Sequence, residues 1–254
     1  MSLLATCLDR KGPQVTLVNV ENYVRAETAA MFDAPLAMAG GVNRWVHFRV
    51  PTPVDQQTVI RMNRDTLYSA AIVDISGGGT VTLPDAGGRY MTLMVINEDH
   101  YINRVFSEPG THELSLEDHE TPFVMASVRI LVDANDPDDI AEVNRLQDQI
   151  VLTLNSHNTY THPDYDRDSF NATKEALLAL GEGLPDMTRT FGERSRVDPI
   201  RHLIGTATGW GGLPEVEAYY YIETEPRPSG RHTLRLRDVP VDAFWSVTIY
   251  NRDG

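Results

Sequence analysis

Residues 61–101 read RMNRDTLYSAAIVDISGGGTVTLPDAGGRYMTLMVINEDHY, and the fold turns on how this stretch is read. Tyr68 to Ile75 is apolar on both faces, as a strand enclosed between two layers is. Ser76-Gly77-Gly78-Gly79 supplies positive φ for a tight reversal, after which Val81 and Leu83 alternate with Thr80 and Thr82. Pro84-Asp85-Ala86-Gly87-Gly88 makes a second turn, with Pro fixing the first corner. Tyr90 to Ile96 is again apolar on both faces. The simple expectation is a three-stranded meander.

Each end of the stretch carries a polar cluster: Arg61, Asn63, Arg64, Asp65 and Tyr68 at one, Asn97, Glu98, Asp99, His100 and Tyr101 at the other. In a meander the first and third strands run the same way, so Asp65 and Glu98 fall at opposite ends. At roughly 3.3 Å per residue they lie about 25 Å apart. The two clusters are then separate sites, unless a crossover replaces one hairpin.

Working outward, Asn19 can cap a helix over residues 20–38 that ends at Gly40-Gly41. Tyr23, Ala26, Ala30, Met31 and Leu36 give it one apolar stripe, interrupted at Pro35. Residues 41–59 read as a loop and a short strand. His47, beside Trp45 and Phe48, reads as a hydrogen-bonded packing residue rather than a ligand. Downstream, His112, Leu114 and Leu116 mark a half-exposed strand, and 123–132 a further one. Arg129 sits inside that last apolar run. It must find a structural acid partner or reach into a pocket.

From Asp133 the pattern becomes helical. Asp136, Pro137 and Asp138-Asp139 form a strong helix start, with Ile140, Val143, Leu146 and Ile150 as its buried stripe. Further helices are expected near 169–180, closed by Gly181, and from Asp198-Pro199 onward. Residues 219–223, 231–237 and 243–250 return to strand-like alternation, separated by a turn at 226–230. The final Asn251-Arg252-Asp253-Gly254 reads as a hairpin turn with no strand after it, so a longer gene product is expected. The domain reading is 1–135 for an N-terminal helix and β domain, 136–212 for a helical segment, and 213–254 for the start of a C-terminal β domain.

Composition excludes several functions. The 254-residue chain carries a net charge of −14, which argues against nucleic-acid partners and against an anionic membrane surface. A hydrophobic content of 41% is enough for a core. With Cys7 as its one cysteine the chain has no intrachain disulfide, and no apolar run is long enough for a signal peptide or a membrane span. A cytoplasmic location is expected. There is no phosphate loop, dinucleotide fingerprint, Gly-x-Ser-x-Gly elbow or His-Glu-x-x-His motif, so no cofactor is expected. His157, His162, Asp164 and Asp166 share a loop, but loop spacing imposes no metal geometry, and no metal site is assigned.

Three clusters remain as candidates. Glu98-Asp99-His100 places carboxylates beside an imidazole, which they can orient as a general acid or base; the alternative is loop capping, with Arg104 as ion-pair partner. Asn63-Arg64-Asp65 offers an anion clamp beside a candidate base, or simply satisfies backbone groups where the chain joins the sheet. Trp210, in Thr208-Gly209-Trp210-Gly211-Gly212, is a stacking platform or a plug between layers.

Four separated motifs, MNRDTLYSAAIVD (62–74), PDAGGRYMTLMVINEDHY (84–101), VDPIRHLIGTATGWGG (197–212) and VPVDAFWSVTIYNRDG (239–254), resemble one bacterial family. Its two halves are the domains of unknown function 1254 and 1214, and the resemblance runs from about Val20 to the end. It implies an N-terminal β-sandwich, helices, and a C-terminal jelly-roll-like domain that would be incomplete here. Relatives usually continue past the final turn, and many carry export signals, so this chain resembles the short soluble branch. The resemblance supplies no reaction and no catalytic residues.

The expectation is therefore a mainly β protein with a helical insertion. One functional reading is a hydrolase- or lyase-type enzyme acting on a small polar or anionic metabolite. In it His100 is the acid or base, Glu98, Asp99 or Asp65 assists, and Asn63, Arg64, Tyr68, Arg129 or Trp210 holds the ligand. The other is a non-catalytic ligand-binding or assembly module, with a small molecule or a second copy of the chain as partner.

Overall fold

A computed structural model describes residues 15–53, 63–221 and 228–249. Arg61, Met62, Cys7, the end of the short strand expected up to residue 59, residues 222 and 223 of the strand expected at 219–223, the first two residues of the turn at 226–230, residue 250 of the strand expected at 243–250 and the hairpin turn at 251–254 lie outside the described residues.

In chain order the elements are α1 (Tyr23–Ala39), β1 (Val46–His47), β2 (Thr66–Asp74), β3 (Gly79–Leu83), β4 (Met91–Asn97), β5 (Ile102–Phe106), β6 (Gly110–Leu114), α2 (Leu116–His119), β7 (Phe123–Leu131), α3 (Pro137–Gln147), β8 (Val151–Leu154), α4 (Arg167–Gly181) and α5 (Pro199–Gly209). They form two antiparallel sheets, ordered β1-β2-β7-β4-β5 and β6-β3-β8, together with five helices.

The meander is corrected. β3 leaves the sheet of β2 and β4 and pairs instead with β6 and β8, while β7 inserts between β2 and β4. The reason lies in the side chains. β2 and β4 are apolar on both faces and need cover on both, whereas β3 buries only Val81 and Leu83 and suits a half-exposed sheet. The central position therefore falls to β7, which is equally apolar. Because β7 is antiparallel to both neighbours, β2 and β4 still run the same way, and the expected separation of the two polar clusters holds for this reason. Thr66 faces Leu131 and Asn97 faces Val124, seven positions along β7, or roughly 23 Å.

One face of the large sheet presents Leu67, Ala71, Val73, Leu93, Val95, Val124, Ala126, Val128 and Ile130 to β3, β6 and α3, forming the main core. The opposite face is covered unevenly. Over Ile72, Met94, Ile96 and Met125 lie Phe32 from α1, Phe191 and Leu213. A third cluster, Tyr23, Ala26, Leu177, Ile204 and Ala207, locks α1, α4 and α5 together.

The helix signals act largely as expected. Asp136 and Asp198 accept hydrogen bonds from the first-turn amides of α3 and α5, each with Pro at the first position. α4 starts two residues earlier than expected, capped by Asp166, and Gly181 closes it from inside; its missing side chain leaves room for Ile204 of α5. Asn19 does not cap α1 with its side chain; its carbonyl accepts from Asn22 and Tyr23 instead. Gly40, at φ 73°, ends α1. The helical segment also contributes a strand that the pattern did not reveal, β8. No strand follows α5 among the described residues: Leu234, Leu236, Trp245, Val247 and Ile249 are exposed, and no neighbouring strand satisfies their backbone.

Candidate functional site

The β4–β5 turn is built by Asn97. Its buried side chain accepts from the amides of Asp99 and Tyr101 and donates to the carbonyl of His119. This leaves His100 at φ 62°, a left-handed conformation that a non-glycine residue holds only against a penalty of about 1–2 kcal/mol. The compensation is its imidazole network. The Gly211 amide can only donate, so Nε2 is the acceptor at 2.8 Å and the proton sits on Nδ1. Nδ1 donates to Thr206 Oγ1 at 2.8 Å, and that hydroxyl donates to the His202 carbonyl at 2.9 Å. Burial, reinforced by nearby His202, holds the His100 pKa well below its ordinary value. His100 is neutral, with both nitrogens committed inside the protein.

Glu98 and Asp99 do not orient this imidazole. Arg25 of α1 bridges them, with 3.1 Å to Glu98 and a short contact to Asp99, and Arg194 adds a second cation 3.4 Å from Asp99. Burial raises the Glu98 pKa in spite of Arg25. Arg104, the ion-pair partner expected from sequence, pairs with Asp118 instead. His202 donates from Nε2 to the Asp99 carbonyl at 3.0 Å and stacks on Tyr101, over which Arg194 lies at 4.3 Å. Trp210 stacks on His100, meets Phe32 edge-on, and donates to Thr28 of α1 at 3.0 Å. It joins α1, α5 and the sheet. Behind this turn His119 is fully buried, with neither ring nitrogen hydrogen-bonded among the described residues, and burial lowers its pKa to about 4.

At the other end, Asn63 Oδ1 accepts from the Asp65 amide, and the Asp65 carbonyl accepts from Val132, tying the start of β2 to the end of β7. Arg64 is exposed and donates to the Thr52 carbonyl at 2.6 Å. Arg64 and Asp65 form no ion pair among the described residues.

Tyr68 and Arg129, by contrast, are brought together. They are cross-strand partners on the face away from the main core, with the guanidinium 5.8 Å from the Tyr68 ring centre. Thr92 of β4 completes the row, and its hydroxyl donates to Tyr90 Oη at 3.2 Å. Tyr220, beyond α5, is half-exposed, and burial raises its pKa although the Arg129 guanidinium acts to lower it; no hydrogen bond joins the two among the described residues. Arg129 is only 9% exposed, yet no carboxylate among the described residues forms an ion pair with it, and its Nε has no hydrogen-bond partner there. Sequence reading picked out Arg129 by its place in an apolar strand. It missed Tyr90, Thr92 and Tyr220, because nothing in the sequence puts β4 next to β7 or returns residue 220 to the sheet.

Comparisons with known proteins fit this architecture. The family described as "Protein of unknown function (DUF1254)" matches residues 42–113. Among solved structures, the VPA0106 protein from Vibrio parahaemolyticus is similar over 78% of this chain and 67% of its own, with a TM-score of 0.59 and 16% sequence identity. That likeness concerns the fold alone. An uncharacterized protein from Burkholderia cenocepacia aligns over 74% of this chain and 47% of its own at 11% identity, with a TM-score of 0.31, too low to define a common fold. No curated protein matches the chain.

Proposed function

We propose that this chain is a ligand-binding module that holds a small anionic molecule at Arg129, and that the Glu98-Asp99-His100 turn is structural. The observation that carries this reading is the buried guanidinium with no counter-charge among the described residues. Burying an unpaired cation is strongly unfavourable, and the chain has 36 acidic residues from which a partner could have been drawn. Tyrosines occupy that place instead. The enzyme reading has less support, because an acid–base role for His100 needs a free ring nitrogen and both are engaged. Arg64 and Asp65 lack the mutual geometry of a clamp and base.

The finer architectural reading belongs to the same proposal: a two-layer β-sandwich for the N-terminal half, and a jelly-roll-like C-terminal domain related to domain of unknown function 1214. The alternation in 231–237 and 243–249 supports the latter. A cytoplasmic location fits the single cysteine, and among the described residues no helix is long and apolar enough to cross a membrane. Self-association is the second kind of partner we propose, on the exposed apolar residues of 234–249.

The test is a titration with acetate, benzoate and inorganic phosphate against the protein and Arg129→Met, read by thermal unfolding. Binding to the folded state alone raises stability by about 2.7 kcal/mol at a hundredfold excess over Kd. A rise in the parent protein that is absent in Arg129→Met supports the proposal. Equal responses in both, or none in either, refute it.

A further inference from the structure

The sheet face around Arg129 carries more information than the charge alone. Its side chains lie in three cross-strand rows. The first is Tyr68, Arg129 and Thr92; the second is Ala70, Ser127 and Met94; the third is Ile72, Met125 and Ile96. The third row is sealed under Phe32, Phe191 and Leu213. The middle row has two small side chains, and Ser127 remains partly exposed although it lies on the central strand. Between the guanidinium and the sealed apolar end, the face is therefore shallow. Successive rows are two residues apart, or roughly 6.6 Å.

The segment over this face is held at two points. Leu213 and Ala218 pack into the apolar end, and the Pro214 carbonyl accepts from the amides of Glu217 and Ala218. Beyond Ala218, Tyr219, Tyr220 and Tyr221 are 69%, 48% and 80% exposed. Residues 219–221 belong to no helix or strand.

Resting on the binding role proposed above, we propose that the ligand is a monocarboxylate with a compact apolar or aromatic body. A guanidinium presents parallel N–H groups that match a planar carboxylate, and the unpartnered Nε is one of them. A body about one row long lies over Ala70 and Ser127 and ends against Met94 and Met125. The ring of Tyr68 flanks the charged end. A dianion such as phosphate or succinate gains no second cation here among the described residues, and acetate leaves the middle row uncovered.

The experiment uses benzoate as probe, with acetate, succinate and inorganic phosphate for comparison, by calorimetric titration of the whole chain and two variants. Benzoate is expected to bind most tightly. Ser127→Val, a change well suited to a strand, fills the middle row and should weaken benzoate at least tenfold while leaving acetate unchanged. Arg129→Met reports on the binding role itself. If it abolishes binding but Ser127→Val changes nothing, the ligand class is overturned while the anchor stands. If none of the four anions binds the parent protein, the anchor fails as well. Tighter binding of phosphate or succinate than of benzoate overturns the ligand class directly.

Discussion

At the Asn97–Tyr101 end of the large sheet, Glu98, Asp99, His100 and His202 all have partners: Arg25 and Arg194 for the acids, hydroxyl, amide and carbonyl groups for the imidazoles. At the opposite end Arg129 is buried without an acid among the described residues, faced by aromatic rings and hydroxyls. Both ends look equally reactive in the one-letter code. They differ in what their charges still lack, and, as we propose, that difference separates groups that hold the fold from a group left available to a ligand.

The comparison breaks most readily at His100. Its replacement by Ala removes two buried hydrogen bonds, leaves the Gly211 amide and the Thr206 hydroxyl without their ring partner, and opens a cavity beside Trp210 and Phe191. A loss of about 3–5 kcal/mol in urea unfolding is expected. A loss under 1 kcal/mol would mean that this end is not structural.

Acid should expose the same end. His119 has a folded pKa of about 4 against an ordinary 6.5. Between those values the unfolded chain binds a proton that the native chain does not, so stability rises with pH across this window and is lost as pH falls from about 6.5 to 4. The loss is about 3 kcal/mol, and His100 and His202, also lowered by burial, act in the same direction. Replacing His119 with Leu should flatten the pH profile, as read by midpoint denaturation from pH 7.5 to 4. An unchanged slope would count against the assignment.

Arg25→Met is expected to be milder. Glu98, 13% exposed, would lose its nearest cation, but Asp99 keeps Arg194 and Arg25 itself is half in water, which points to about 1–2 kcal/mol. The effect should shrink in high salt if the pair is mainly electrostatic. Smallest of all should be Arg129→Met. Trading an uncompensated buried cation for a side chain of similar reach should change stability by no more than about 1 kcal/mol, in either direction.

How much of this was legible in the sequence depends on distance along the chain. Signals that act within a few residues read correctly: the caps at Asp136 and Asp198, Gly40 at the end of α1, the apolar runs of β2 and β4. Pairing did not. Ser76-Gly77-Gly78-Gly79 looks like a hairpin turn, yet it carries the chain to another sheet, because the partners of β3 are 110–114 and 151–154 and no local pattern names them. The same limit explains the site. Glu98, Asp99 and His100 stand out because they adjoin one another, but their partners Arg25, Arg194, Thr206 and Gly211 lie 73 or more residues away. Arg129 was legible because a charge inside an apolar strand is anomalous wherever its partners are.

The most direct test compares urea unfolding of the parent protein and Arg129→Met, each with and without saturating benzoate. We expect the two proteins to match within about 1 kcal/mol when no ligand is present, and benzoate to stabilise only the parent. An Arg129→Met protein several kcal/mol less stable than its parent, with benzoate affecting neither, would show that Arg129 holds the fold and binds nothing.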